Sequence, residues 1–142
     1  MADWSIAIPE APFDWEMIPL DGRKRPIDPD TGDLMTAWQS RPGYDIEGLS
    51  ELNGLVKAVG LKLGPPSGGI LAVDFDGPAS VAKFSEVFNQ EPRDLPLTVG
   101  VTSGKEMRGQ RFFLVDQDWW PHLKGRRAWT DDNGETCLEL RW

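Results

Sequence analysis

The chain has 142 residues, 39% of them hydrophobic, a single cysteine and a formal net charge of −8. This length fits one domain with one sizeable core, and the apolar fraction excludes a wholly disordered chain. The acidic balance excludes a protein that grips nucleic acid over its whole surface, so any such site must be local. Cys137 stands alone, which excludes an internal disulfide and a cysteine-based zinc site. The N-terminus Met-Ala-Asp-Trp-Ser has no basic region leading into an apolar run, and no stretch is long enough to span a bilayer. The expectation is a cytoplasmic protein without a membrane partner.

Residues 1–13 are rich in proline, weakly periodic and expected to wrap the surface. Residues 15–20 (WEMIPL) read as a short strand. The turn Asp21-Gly22-Arg23-Lys24-Arg25-Pro26 carries three consecutive cations. Such a run is usually a solvated loop; the functional alternative is a phosphate contact through Lys24. Residues 28–33 (DPDTGD) have the outline of a calcium loop, but its twelfth position is Gln39 rather than an acid, so a turn is the better account. Ile46, Leu49, Leu52, Val56 and Val59 recur at helical spacing and predict an amphipathic helix stopped by Gly60. A short strand follows at 61–64. The Pro/Gly turn 65–69 lacks the Gly-Lys-Ser/Thr of a phosphate loop.

The centre of the chain is 70–76, ILAVDFD. Ile70 to Val73 is a short apolar run with glycine before it, which predicts a buried strand. Side chains alternate along a strand, so Asp74 and Asp76 share one side, roughly 7 Å apart, with Phe75 on the other. Most Asp-x-Asp pairs sit in solvated turns, but the apolar run leading into this one argues for a strand. Two neighbouring carboxylates repel each other unless something positive lies between them. A hard divalent cation, Mg²⁺ or Mn²⁺, suits oxygen ligands best.

Pro78 suits the first turn of a helix, and Val81, Phe84, Val87 and Phe88 give that helix an apolar stripe for the core. Pro92 and Pro96 lie in a loop. Residues 97–102 and 111–115 read as paired strands around the polar loop 103–109. Residues 126–129 and 137–142 read as a hairpin, with Asn133-Gly134 as its turn. His122, the only histidine, reads as a surface residue. The fold class expected is α+β: a largely antiparallel sheet, two helices packed on one side and about seven strands, in a single domain over 1–142.

Three features converge: the Asp74/Asp76 pair, the hairpin from Thr102 to Phe113, and Glu139 inside the terminal LELRW. A lone glutamate between leucines usually marks only a solvent-facing position. Taken in order, "WEMIPLDGRKRPIDPDTG" (15–32), "VGLKLGPPSGGILAVDFDG" (59–77), "LPLTVGVTSGKEMRGQRFF" (95–113) and "LELRW" (138–142) resemble the bifunctional primase/polymerase (Prim-Pol) domain of the archaeo-eukaryotic primase superfamily. The forms found in bacteria, phages and plasmids are the most similar, and the likeness covers nearly the whole chain.

The resemblance implies a primase/polymerase-like fold with an RRM-like catalytic core. It implies a nucleotidyltransferase of DNA replication, working by two metal ions about 3.5–4 Å apart. Asp74, Asp76 and Glu139 map to the catalytic, metal-binding acids, with Mg²⁺ or Mn²⁺ as cofactor. Ser103, Lys105, Arg108, Gln110, Arg111 and Lys24 map to nucleotide binding. The implied partners are nucleoside triphosphates, a single-stranded DNA template and a replicative helicase. Lys124, Arg126 and Arg127 are candidates for template contacts. Trp119 and Trp120 would stack on bases at about 1–3 kcal/mol each, with ordinary packing as the plainer reading.

Two departures stand out. Gln110 fills the position of the histidine in the family's Ser-x-His element, and a neutral amide donates a hydrogen bond without carrying charge. The chain also stops three residues after Glu139, where the family normally continues, which predicts a trimmed or truncated form. Two rivals follow. One is a catalytically weak or inactive nucleotide- or protein-binding module on the same scaffold. The other is a haloacid-dehalogenase-like phosphatase with Asp74 as nucleophile and Asp76 as acid/base, for which "LAVDFDG" and "VTS" fit but too little chain follows to complete the parallel sheet.

Overall fold

The computed structural model describes residues 15–45, 48 and 54–142. The chain divides into two compact units, one of Met1–Lys62 with Pro66–Gly68 and one of Leu63–Pro65 with Gly69–Trp142.

In the first unit, β1 (Met17–Leu20) pairs antiparallel with β2 (Ala58–Leu61), from Met17 opposite Leu61 to Leu20 opposite Ala58. Met17 and Ile18 are buried, as the apolar 15–20 segment predicts. Asp21 closes the basic turn: its Oδ1 accepts from the backbone N–H of Arg23 at 2.8 Å and of Arg25 at 2.9 Å. Lys24 takes a left-handed φ of 62° within that turn. Asp28 organises the 28–33 turn in the same way, its Oδ1 accepting from Asp30 N at 2.8 Å. Lys62 is buried, and its ammonium is satisfied by the carbonyls of Arg41 and Gln39 and by Glu16 at 3.5 Å.

Two boundaries differ from expectation here. Ile46, Leu49 and Leu52 of the predicted helix, and the 1–13 segment, lie outside the described residues. The helix does not run to Gly60, because Val59 and Gly60 belong to β2. The strand expected at 61–64 is therefore displaced to 58–61. The cause is tertiary: β1 presents a row of backbone donors and acceptors, and pairing with 58–61 satisfies them, outweighing side-chain spacing.

The second unit is a five-stranded antiparallel sheet in the order β4-β5-β3-β7-β6, made of β3 (Ile70–Asp76), β4 (Gly100–Thr102), β5 (Arg108–Leu114), β6 (Arg126–Thr130) and β7 (Thr136–Arg141). The apolar run of β3 puts it in the middle, with β5 and β7 on either side, and both neighbours are antiparallel to it. The phosphatase reading needs parallel neighbours at this strand. The architecture is the expected α+β one, antiparallel sheets with a helix packed against them.

Gly77, at φ 89°, turns the chain out of β3 in a conformation that a side chain would strain. Helix α1 (Pro78–Phe88) starts at once, with Pro78 in its first turn. Left-handed Asn89 ends it, donating its N–H to the Ser85 carbonyl at 2.9 Å. Phe84 packs into a core of Val73, Phe75, Cys137 and Leu138. Of the predicted stripe only Phe84 is buried. Val87 and Phe88 stay partly exposed because α1 lies over one part of the sheet, although Phe88 meets Phe84 at 4.8 Å and Trp129 at 5.6 Å between ring centroids.

β5 starts at Arg108 rather than Arg111, because β3 extends through Asp76 and offers a partner at every position from Ile70 opposite Leu114 to Asp76 opposite Arg108. β4 is shorter than 97–102, and Leu97 is fully exposed. The β6–β7 turn is set by Asp131, whose Oδ1 accepts from Asn133 N at 2.8 Å and Glu135 N at 3.0 Å. His122 is exposed in a 3-10 turn, Gln117–His122. Among the described residues no helix is long and apolar enough to cross a membrane.

Candidate functional site

Val73 and Phe75 of β3 point to α1, so Asp74 and Asp76 point to the other face. Residues directly opposite on antiparallel strands share a face. One row therefore crosses the whole sheet: Val101 on β4, Gln110 on β5, Asp74 on β3, Glu139 on β7 and Ala128 on β6. Asp76 stands one rung along, opposite Arg108. One rung the other way, Arg141 lies between Ala72 and Arg126.

Like charges directly opposite on a sheet destabilise it. Asp74 and Glu139 are such a pair, and arginines offset them. Arg141 reaches both, with its Nη2 2.6 Å from Glu139 Oε2 and 3.4 Å from Asp74 Oδ2, and its Nε donates to Glu139 Oε2 at 2.7 Å. Arg126 Nη2 holds the other Glu139 oxygen at 2.5 Å. Arg108 Nε pairs with Asp76 Oδ1 at 2.9 Å. Gln110 Nε2 donates to Asp74 Oδ2 at 3.3 Å.

Glu139 is buried at 8% exposure, and an unpaired carboxylate there would be costly. The hydrogen bond from Arg126, and then that from Arg141, hold its carboxyl below the usual glutamate range, against the upward push of burial. The same bond pushes the Arg126 guanidinium further up.

The structure thus brings Asp74, Asp76, Glu139, Gln110 and Arg108 to one face. Arg111 lies on the other, where its Nη1 donates to the Pro92 carbonyl at 2.6 Å and its guanidinium sits 5.6 Å from the Phe75 ring centre. Ser103 and Lys105 are exposed in the β4–β5 loop. Lys24 belongs to the first unit. Of the candidate template residues, Arg126 is engaged by Glu139, Arg127 lies 5.3 Å over Trp129, and Lys124 is exposed. Trp119 is 63% exposed; Trp120 meets Trp142 at 5.8 Å and donates its Nε1–H to the Val115 carbonyl. Sequence reasoning missed Arg141. Its signal was present: it stands two residues after Glu139 on a strand and so shares its face.

The donor set, three carboxylates without sulfur or imidazole, fits a hard divalent cation in kind and in facing. Among the described residues no three such side chains converge as a metal cage, because each carboxylate is turned to an arginine. The guanidiniums supply the positive charge that this face calls for.

The searches of curated proteins and of solved structures returned no match. A family model described as bifunctional DNA primase/polymerase, N-terminal, matches residues 10–142. The chain therefore belongs to the Prim-Pol N-terminal family, whose general chemistry is nucleotidyl transfer with divalent metals on nucleotides and DNA.

Proposed function

We propose that the chain is a DNA primase/polymerase of DNA replication that adds nucleotides to a strand paired with a single-stranded DNA template, using the charged sheet face as its catalytic site. One observation carries this reading: Asp74, Glu139 and Gln110 stand in one row across three adjacent strands, with Asp76 one rung beyond. Asp74, Asp76 and Glu139 would hold Mg²⁺ or Mn²⁺. Such ions, when bound, activate the attacking hydroxyl and neutralise the charge that develops on the leaving pyrophosphate.

The chain's own residues do the rest. Arg108 and the Gln110 amide, on the same face, orient the phosphates of the incoming nucleotide. Arg126 and Arg141 hold the Glu139 carboxyl below the usual glutamate range and must turn away from it when cations bind. Arg111, on the opposite face of the sheet, has no part in the transfer step.

The first test is calorimetric titration of a nucleoside triphosphate with Mn²⁺ and then with chelator, on wild type and Asp74→Asn, followed by primer extension. Metal-dependent binding that is lost in the variant is expected. Full incorporation by Asp74→Asn would overturn the assignment. A second reading, a nucleotide-binding module without catalysis, is favoured by the arginine engagement of all three acids; nucleotide binding with no incorporation would select it.

A further inference from the structure

We infer, on the proposed reading of Asp74, Asp76 and Glu139 as metal ligands, that Arg141 is a latch on them. It ties Asp74 to Glu139 and so keeps the affinity of the site for a free divalent cation low.

The latch follows from the register of the sheet. Asp74 on β3 and Glu139 on β7 stand directly opposite each other, a placement in which two carboxylates repel. Arg141 is two residues from Glu139 on the same strand and shares its face. Its own partner on β3 is Ala72, whose methyl group leaves the guanidinium room to lie across to Asp74. Its Nη2 is 2.6 Å from Glu139 Oε2 and 3.4 Å from Asp74 Oδ2, and its Nε donates to the same Glu139 oxygen at 2.7 Å. Among the described residues Arg141 is the one cation paired with two acids. One guanidinium thus bridges the two carboxylates that a divalent cation would have to bridge.

The other arginines of this face are placed differently. Arg126 holds the far oxygen of Glu139, Oε1. Arg108 pairs with Asp76, and both of these side chains are about half exposed, so solvent screens the pair. Glu139 is buried, where screening is weaker. The acidic face is therefore uneven. Asp76 is open to an arriving cation, and the inner pair of Asp74 and Glu139 is closed by Arg141. A guanidinium does not give up its proton in a protein, so displacement alone opens the pair. The free energy of that displacement is subtracted from the binding of any cation that all three acids would hold.

Mn²⁺ binding without nucleotide, read from the paramagnetic resonance signal of the free ion, tests the latch on wild type, Arg141→Gln and Arg127→Gln. Arg127 stands over Trp129 and shares a face with Leu140, so its variant removes the same charge away from the acids. Arg141→Gln should bind Mn²⁺ about tenfold tighter or more, because a positive charge a few ångströms from the ligands is gone. Arg127→Gln should bind as wild type does, and adding Asp74→Asn to Arg141→Gln should abolish the gain. Thermal melting is the second readout. Without metal Arg141→Gln should melt below wild type, because Asp74 and Glu139 then face each other directly, and Mn²⁺ should raise its melting temperature more than that of wild type. Arg141→Lys keeps the charge but not the fork, guards against a glutamine variant that fails to fold, and should show a smaller gain. No gain in either Arg141 variant, an equal gain in Arg127→Gln, or a gain that survives Asp74→Asn overturns the latch. Primer extension keeps the two readings apart. Incorporation by wild type with no gain in the Arg141 variants sinks the latch alone, and a gain beside a wild type that never incorporates sinks only the catalytic reading.

Discussion

On one face of the five-stranded sheet, Val73, Phe75 and Leu138 meet Phe84 of α1; on the other, Asp74, Asp76 and Glu139 meet Arg108, Arg126 and Arg141. The same strands supply both, because adjacent residues point opposite ways. The first face removes apolar surface from water and contributes stability. The second keeps acids close together, with arginines offsetting the repulsion. Replacing a side chain on the first should therefore cost mainly folding, and replacing one on the second should, on the proposed function, cost mainly chemistry.

The largest expected effect is that of Asp74→Asn. On the proposed two-metal mechanism, losing this carboxylate should lower incorporation by about a thousandfold or more, at several kcal/mol of transition-state stabilisation, while the melting temperature stays nearly unchanged. Primer extension beside a thermal melt reads both quantities. A variant that unfolded would show Asp74 to be structural and erase the contrast between the faces.

Leu138→Ala is the counterpart. Leu138 has 0% exposure under Phe84, and its truncation should destabilise by about 2–5 kcal/mol in denaturant unfolding. The fraction that stays folded should keep its specific incorporation activity. A loss below about 1 kcal/mol would mean that this face is not the core it looks to be.

Glu139→Gln sharpens the comparison through pH. The folded glutamate titrates below its ordinary range because of Arg126 first and Arg141 second. Its ion pairs therefore stabilise fully above the range of an unfolded glutamate, and that contribution is lost as pH falls through the lower folded value. Wild type should lose stability down this acid limb, and Glu139→Gln should show a flatter limb. At neutral pH the variant should be less stable by about 1 kcal/mol, because Arg126 is largely exposed and its share is screened. Melting temperatures of both proteins against pH check this, and parallel limbs would contradict it.

The smallest expected effect is that of Gln110→His. Gln110 already donates to Asp74 from the neighbouring strand, and a histidine there adds charge near an incoming triphosphate. Nucleotide affinity should rise severalfold, read by titration. No change would place the phosphates away from β5.

Much of the second unit was legible from local pattern. The apolar run before Asp74 reads as a central strand, Gly77-Pro78 as a strand-to-helix turn, and Asn133-Gly134 as a hairpin; each is a short-range signal with a backbone cause. Asp74 and Asp76 sharing a face follows from the period of a strand alone. The predicted helix end at Gly60 failed for the opposite reason. Val56 and Val59 have helical spacing, yet 58–61 is a strand because β1 is there to pair with it.

Arg111 shows where sequence stops for the site. It sits one residue from Gln110, and nothing in β5 alone says which of the two faces Asp74. The register of β5 on β3 sets Gln110 opposite Asp74 and sends Arg111 to Phe75 and Pro92. A slip of one residue would exchange them. Glu139 showed locally as an acid between leucines and was mapped beside Asp74 only by the family resemblance; its place there, with Arg126 and Arg141 upon it, depends on how β7 and β6 are laid against β3. The sequence by itself determined the central strand, the helix that follows it and which residues alternate along a strand, since those follow from a few neighbours along the chain. Only the tertiary structure decided which strands are neighbours and in what register, because hydrogen bonds between distant segments set both.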